Sequence, residues 1–495
     1  MSTQSLFGES SLLGTAPSSV IGGEWSSAGS PSSTAVVDPA TGVVLAEVPT
    51  LTPEDVARAV EVATAAQKQW RRQSHTARAA VLERVRLAIG EHASELAAIV
   101  TAEQGKSPAD ALGEIAGAQA FFDFAISQKY RTVGEVVAAE HGERIETREE
   151  PIGVIAAILP WNFPAAIFAR KVAPALMAGN AIIVKPSELT PLSALALARV
   201  AQLAGLPDGL LNVVCGAGRV VGKALVTHPG IGMVTMTGST RGGREILAST
   251  ADSIIPVSLE LGGKAPMIVF ADADLKAAAA AAVEARLWNA GQVCTCNEVT
   301  YVHESVAAEF RALVVEAFRA TVPGRPSPTG HVMGPLVAER EWVKVKEMVD
   351  LAVAQGATVE VGGGRPEGAE FAAGNWFAPT VLSGVTVDMD IAREEVFGPV
   401  LPLVEFSTDE EAIANANSSA YGLTAYVYTQ DLNRAMRAVD DLEFGEVYLN
   451  KIGPEQVQGF HTGWKASGLG GDDGAHGYAK YVRHKTTYLG YGRGA

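Results

Sequence analysis

The chain has 495 residues, 47% of them hydrophobic and 19% charged, a mixture that excludes disorder for its bulk, and at about 150 residues per domain it is long enough for roughly two to four compact units. Acidic residues outnumber basic ones 55 to 39, for a formal charge of −16. That sign is wrong for gripping nucleic acid or an anionic membrane, so neither is an expected partner.

Residues 1–33, rich in Ser, Gly and Thr, read as a loosely held tail. Order begins at Thr52-Pro53-Glu54-Asp55, where a hydroxyl cap, a proline at the first helical position and an acidic third residue predict a helix start. Helices then follow to about Tyr130. Between 132 and 150 the chain carries Val136 and Val137 and then Glu140-His141-Gly142-Glu143-Arg144, an exposed hairpin. From 152 short apolar runs alternate with helices: 152–159, 181–184, 211–214, 232–236 and 254–259, with a helix at 191–204. This pattern predicts βαβ units around a buried parallel sheet of the nucleotide-binding kind. After Gly262-Gly263 it restarts with a strand at 267–270, an alanine-rich helix at 275–287 and strands near 299–302, 401–406 and 446–449. The fold class is therefore α/β, with a second α/β domain. The most apolar stretch, 151–168, is interrupted by Gly153, Pro160, Asn162 and Pro164, unlike the roughly 20 continuous apolar residues of a membrane helix. The first basic residue is Arg58, which does not suggest a signal peptide. Three cysteines, Cys215, Cys294 and Cys296, suit a reducing compartment, and the cytoplasm is the expected location.

Several segments carry chemistry. In Asn289-Ala290-Gly291-Gln292-Val293-Cys294-Thr295-Cys296 a cysteine follows a helix and a glycine turn; there it is either a nucleophilic thiolate facing substrate or a small core residue. With no His or Cys cluster to complete it, a Cys-x-Cys metal site is not expected. Leu259-Glu260-Leu261-Gly262-Gly263-Lys264 puts a carboxylate at a strand end. In an apolar site that group takes a proton from water near neutral pH, and on a solvated loop it does nothing special. Leu159-Pro160-Trp161-Asn162-Phe163-Pro164 fixes an asparagine between prolines, as a donor to an oxyanion requires. Lys185-Pro186-Ser187-Glu188 follows a strand at the end where parallel sheets bind nucleotides, and Glu188 there suits ribose hydroxyls and repels a 2′-phosphate. Thr237-Gly238-Ser239-Thr240 opens a helix toward a pyrophosphate, while Gly216-x-Gly218 with Gly222 is a weaker glycine signal.

Taken with Glu394-Glu395-Val396-Phe397-Gly398-Pro399, these motifs, in this order, resemble the NAD(P)-dependent aldehyde dehydrogenase superfamily from about Thr34 onward. The resemblance implies a Rossmann-like cofactor domain at 1–131 and 152–262 and a catalytic domain at 263–463. It also implies a small β oligomerisation arm, in which 132–151 and the tail 478–495 pair across a homodimer or homotetramer. Cys294 is the implied nucleophile, Glu260 the general base, and Asn162 with the Cys294 N–H the oxyanion hole, with no metal. For NAD, Lys185 and Glu188 are implied at the adenosine ribose, Ser239 at the pyrophosphate, and Glu395 with Phe397 at the nicotinamide ribose and ring. Trp161, Ser187, Gly218 and Gly238 complete the implied cofactor contacts. The presence of Glu260 implies hydrolysis rather than transfer of the acyl group to CoA.

The stretch Glu455-Gln456-Val457-Gln458-Gly459-Phe460-His461-Thr462-Gly463-Trp464-Lys465-Ala466-Ser467-Gly468 looks like the lactaldehyde/glycolaldehyde dehydrogenase branch. That resemblance implies a small 2-hydroxyaldehyde substrate with Arg170, Glu455 and His461 at its mouth. Thr295 stands where the enteric-type lactaldehyde enzymes are expected to carry Asn. Succinate semialdehyde dehydrogenases share the Gly-Gln-x-Cys-x-Cys arrangement, so Arg170 meeting a distal carboxylate, or a broad aldehyde range, is the alternative.

Overall fold

The computed structural model describes residues 12–14, 17–26, 32–327 and 330–491. Strands Val154–Ile158, Ala181–Lys185 and Met233–Thr237 have almost no exposed residue, and runs of that kind are stable only when covered on both faces. They form the centre of a parallel sheet ordered Leu211–Val213, Ala181–Lys185, Val154–Ile158, Met233–Thr237, Val257–Glu260. The order reverses between Val154–Ile158, the first parallel strand in chain order, and Met233–Thr237, the crevice where doubly wound sheets bind dinucleotides at their carboxyl ends. The expected strand at 254–259 begins only at Val257, because Ile254 has φ 48° and is 96% exposed.

Antiparallel strands close both edges of this sheet. Ser19–Ile21 pairs with Leu211–Val213, and Gly468–Leu469 pairs with Val257–Glu260. The first of these corrects the expectation of a loose tail: Leu12, Leu13, Val20 and Ile21 are buried in the same core as the sheet, and Glu24–Ser26 pairs with Ser19–Ile21, while residues 1–11, 15–16 and 27–31 of that segment lie outside the described ones. The second brings the chain beyond 463 back to the cofactor sheet. The helix Pro53–Trp70 starts as predicted, with a reciprocal cap between Thr52 and Asp55.

A second sheet carries six parallel strands in the order Thr380–Ser383, Val400–Phe406, Val299–His303, Pro266–Val269, Thr424–Tyr428, Glu446–Leu449, with Thr358–Val361 antiparallel at one edge. Apolar clusters cover its two faces. The expected hairpin is present as Gly134–Val137 and Glu143–Pro151, joined by Val482–Gly490 into a three-stranded antiparallel sheet. Of the aromatic tail, Tyr478 and Tyr481 are buried in the first core, whereas Tyr488 and Tyr491 are exposed. Among the described residues no helix is long and apolar enough to cross a membrane.

The C-terminal return is locked by charge. Lys171, on the helix Pro164–Met177, has its Nζ 2.9 Å from Asp472 Oδ2 and 3.1 Å from Thr235 Oγ1, and Lys480 pairs with the other Asp472 oxygen. Lys171 and Asp472 are both essentially inaccessible to water. Asp472→Ala leaves the Lys171 ammonium unpaired in a dry interior and is expected to cost about 3–5 kcal/mol in denaturant unfolding; a cost below about 1 kcal/mol would contradict this reading.

Candidate active site

The helix Leu275–Leu287 ends in a sharp reversal in which Asn289, Ala290 and Gly291 take left-handed conformations with φ 48°, 55° and 72°. For alanine that conformation is strained, by about 1–2 kcal/mol. The turn is needed to carry Cys294 out of the helix axis. A Cβ on Gly291 would lie 2.2 Å from Gly398 O, so only glycine fits. The reversal is held by Arg286, fully buried, which donates to Gly291 O, Asn297 O and Gly398 O.

Arg286 also pairs with Glu298 at 3.0 Å, as does Lys264. The two Glu298 oxygens accept from Val396 N (2.8 Å) and Phe397 N (3.0 Å). Burial alone would raise the Glu298 pKa, but Arg286 and Lys264 hold it at about 2. One carboxylate thus ties the cysteine loop, the Gly262-Gly263-Lys264 segment and the Phe397 turn together. Gly263 permits the approach, since a Cβ there would stand 3.0 Å from Cys294 O.

The two neighbouring cysteines differ. Cys296 is buried, its sulfur donates to Val293 O at 3.0 Å, and burial pushes its pKa to about 12. Cys294 is half-buried, and its thiol is close enough to interact with the His461 ring. Burial outweighs His461, so the Cys294 pKa is raised above its ordinary value. Asn162 Nδ2 donates to Gln292 O at 2.9 Å, which sets its amide beside the cysteine loop. The Asn162 carbonyl in turn accepts from Lys106 Nζ (2.9 Å) and Asn289 Nδ2 (3.1 Å). Glu114 pairs with Lys106 and accepts from Ala165 N and Ala166 N, capping the helix that follows. Glu260 is 3% exposed, and neither of its oxygens makes a well-formed hydrogen bond; His461 Nε2 stands 3.3 Å from Oε2. Burial raises its pKa to about 7, as a base for water near neutral pH requires.

The implied cofactor residues gather at the carboxyl ends of the first sheet. Lys185 is buried with one hydrogen bond, to Pro186 O, and lies 3.5 Å from Glu188, leaving donors to spare. Glu188 accepts from Gly218 N at 2.7 Å, and Ser187 Oγ from Leu189 N. Ser239 caps the helix Thr240–Thr250, directly after Gly238, and the buried Thr237 Oγ1 has no partner. Glu395 accepts from Gly263 N at 2.8 Å and is raised to about 7 by burial. Phe397 packs edge-on against Trp161, centroids 5.3 Å apart. Spare cationic and hydroxyl donors at a helix N-terminus and a strand switch fit a dinucleotide.

On the other side of Cys294 opens a cavity of about 530 Å³. Phe121, Phe163, Trp288 and Val457 give it apolar walls, and Ala109, Gly113, Gly117 and Ala120 line it with one small-residue face of the helix Pro108–Ser127. Arg170 reaches it while paired to Glu455 and, at 2.9 Å, to Asp473, with its guanidinium 4.8 Å over the Phe121 ring. Burial raises the Glu455 pKa, but Arg170 holds it at about 2.

This combination of a doubly wound nucleotide sheet and an apolar cavity with a cysteine at its edge fits a nucleotide-dependent dehydrogenase. The chain belongs to the aldehyde dehydrogenase family, whose model matches residues 25–487; it is an oxidoreductase that acts on an aldehyde with NAD or NADP. It is 66% identical to a 3,6-anhydro-α-L-galactose dehydrogenase of Streptomyces coelicolor, over 98% of this chain and 99% of that one. To the lactaldehyde dehydrogenase of Escherichia coli it is 43% identical, over 92% of this chain and 94% of that one. A solved 3,6-anhydro-L-galactose dehydrogenase in complex with NAP superposes with a TM-score of 0.93 at 44% identity, covering 95% of this chain and 99% of the other.

Of the residues expected at the substrate mouth, Arg170 and Glu455 line the cavity with Cys294, whereas His461, beside Glu260, does not. Missed were Glu446, 3.1 Å from His461, and the buried charges Lys106, Glu114, Glu298 and Asp473. Only a charge inside an apolar run could have signalled them, and a sequence does not show which charges are buried. Gly291→Ala is expected to lower kcat by at least about 10²-fold, the effect of a 1 Å displacement of the nucleophile, while dinucleotide affinity measured by fluorescence titration stays within a few-fold. Unchanged turnover would show that the reversal is not required.

Proposed function

We propose that the protein oxidises a 2-hydroxyaldehyde larger than lactaldehyde or glycolaldehyde to its carboxylic acid, with 3,6-anhydro-L-galactose as the leading candidate. The observation that carries this reading is the cavity at Cys294, which is large, apolar-walled and electrostatically balanced. At about 530 Å³ it falls in the range of cavities that hold drug-sized ligands, far more than three carbons need. The open-chain aldehyde of 3,6-anhydro-L-galactose carries a hydroxyl on the carbon next to the carbonyl, for which Glu455 offers an acceptor at the cavity wall. Arg170 is already shared between Glu455 and Asp473, and a compensated guanidinium has little field left for the distal carboxylate of succinate semialdehyde. The 66% identity to a 3,6-anhydro-α-L-galactose dehydrogenase supports the same substrate.

In this reading the Cys294 thiolate adds to the aldehyde carbon. The developing alkoxide is met by the Cys294 N–H and by Asn162, whose amide spends one N–H on Gln292 O and keeps the other for the oxyanion; each such donor is worth about 10²–10³ in rate. The bound dinucleotide supplies the hydride acceptor, held by Lys185, Glu188, Ser239, Glu395 and Phe397, with Trp161, Ser187, Gly218 and Gly238 around them. Glu260 then takes a proton from the water that opens the thioester and passes it to solvent, as the acid is released and the thiolate regenerated; this base favours water over CoA as acceptor. Glu188 favours NAD over NADP, since its carboxylate would face a 2′-phosphate. The three-stranded arm, with Val136 65% and Tyr488 76% exposed, is read as the surface that pairs with a second copy in a dimer or tetramer, and the reduced cytoplasm as the location.

Initial rates of NAD⁺ reduction are expected to rank 3,6-anhydro-L-galactose above lactaldehyde, glycolaldehyde and succinate semialdehyde in kcat/KM, with Cys294→Ala inactive on all. A preference for succinate semialdehyde would overturn the substrate reading. At Gly117 a Cβ meets nothing within 4 Å, so Gly117→Leu folds but fills the cavity; it is expected to cut kcat/KM for the anhydro sugar about tenfold or more and to spare glycolaldehyde. Because Glu260 works only when ionised, kcat should rise with pH through about 7, and that limb should vanish in Glu260→Gln if hydrolysis limits turnover.

A further inference from the structure

His461 is 2% exposed, and three ionisable side chains converge on its ring. Its main chain is fixed by paired bonds with Asp472, N to O at 2.9 Å and O to N at 2.8 Å. Glu446, at the start of the strand Glu446–Leu449, sets Oε1 3.1 Å from Nδ1, while Thr424 Oγ1 donates to its other oxygen at 3.1 Å. On the opposite side of the ring, Nε2 stands 3.3 Å from Glu260 Oε2, and the Cys294 thiol is close enough to interact with the ring. This is a nucleophile, an imidazole and an orienting carboxylate in series, the arrangement that activates thiols and hydroxyls on unrelated folds.

We propose that Glu446 is a positioning residue for the thiol: by accepting from His461 Nδ1–H it directs Nε2 at Cys294 and holds a thiolate–imidazolium pair. The proposal rests on Cys294 being the nucleophile. In forming the pair the S–H bond breaks and an Nε2–H bond forms; Nδ1–H stays on Glu446, which remains anionic, and nothing is oxidised or reduced. The thiolate attacks the aldehyde and later leaves the thioester beside the same imidazolium, so the ring's proton count is unchanged over a cycle. Because Nε2 also faces Glu260, loss of the ring charge is felt by nucleophile and base together.

The acidic groups around the ring are Glu260, Glu446, Glu455 and Asp473, with the Cys294 thiol. The cations behind them are Arg170, against Glu455 and Asp473, and Lys171 and Lys480, against Asp472. Burial opposes charge on the imidazole, but Glu260 and Glu446 raise its pKa well above the usual value.

The test is the rate of Cys294 alkylation by iodoacetamide from about pH 5 to about pH 10, read by mass spectrometry of the Cys294 peptide on the full chain with and without NAD⁺. Glu446→Gln removes the charge and keeps the shape. It is expected to move the alkylation midpoint up by about one pH unit or more, or about tenfold slower reaction near pH 6. Glu446→Asp should fall between this variant and the wild type, and His461→Asn should shift at least as far as Glu446→Gln. A Glu446→Gln profile superimposed on that of the wild type overturns the proposal even if kcat falls. Should Glu446→Gln not fold, an unshifted His461→Asn profile overturns it equally. Cys294→Ala with retained turnover would instead defeat the nucleophile assignment, an outcome the alkylation profile does not touch.

Discussion

Glu298 is a carboxylate with no access to water that must stay ionised, and much of the site depends on how it does so. Arg286 and Lys264 neutralise it at 3.0 Å each, and its two oxygens take the N–H groups of Val396 and Phe397. A buried charge stripped of one partner is costly, whereas a fully paired one fixes geometry. Here the paired groups come from four separate stretches of chain: the helix before the cysteine loop, the Glu260 segment, the loop itself and the Phe397 turn. Cys294, the Glu260 segment and the implied nicotinamide contacts are therefore placed by one ionic cluster rather than by loop packing, which is how a strained left-handed turn at Asn289 and Ala290 is kept in place.

Two further buried carboxyl groups close the ends of helices packed on the first sheet. Glu114 neutralises Lys106 and caps the helix after Asn162, and Glu103 accepts from Leu192 N and Ser193 N at the start of another. Each satisfies helix N–H groups that would otherwise be buried without partners. The helix ends that frame the crevice are thus closed by side chains from distant segments, while Ser239 is left to cap its own helix at the point where a pyrophosphate is implied.

Within and beside the cavity, charge is balanced locally rather than displayed. Arg170 is shared by Glu455 and Asp473, and His461 by Glu446 and Glu260. What remains open to a substrate is mostly apolar wall and a face of small side chains. Such a site is suited to selection by shape and by a few hydroxyl contacts rather than by attracting an ion.

Both the strand pattern and the chemistry-bearing motifs were legible in the chain, because a two-face-buried strand must be a short apolar run and because a close backbone approach needs glycine. The helix at 275–287 and the strand at 446–449 match their bounds in the structure, and the motifs around Cys294, Glu260 and Asn162 single those residues out as candidates. The docking of Val20 and Ile21 at the sheet edge was not legible, since a three-residue edge strand carries too few side chains to show a period. Nor was the choice of Cys294 over Cys296 by physical reasoning alone: the two differ by burial, which depends on Arg286 and on what packs over the loop. The sequence by itself determined the two parallel sheets, the order of the motifs and the kinds of groups available for chemistry. Only the tertiary structure decided which charges are buried together, because Glu446, His461, Glu260 and Cys294 are far apart along the chain and acquire their protonation and direction from one another.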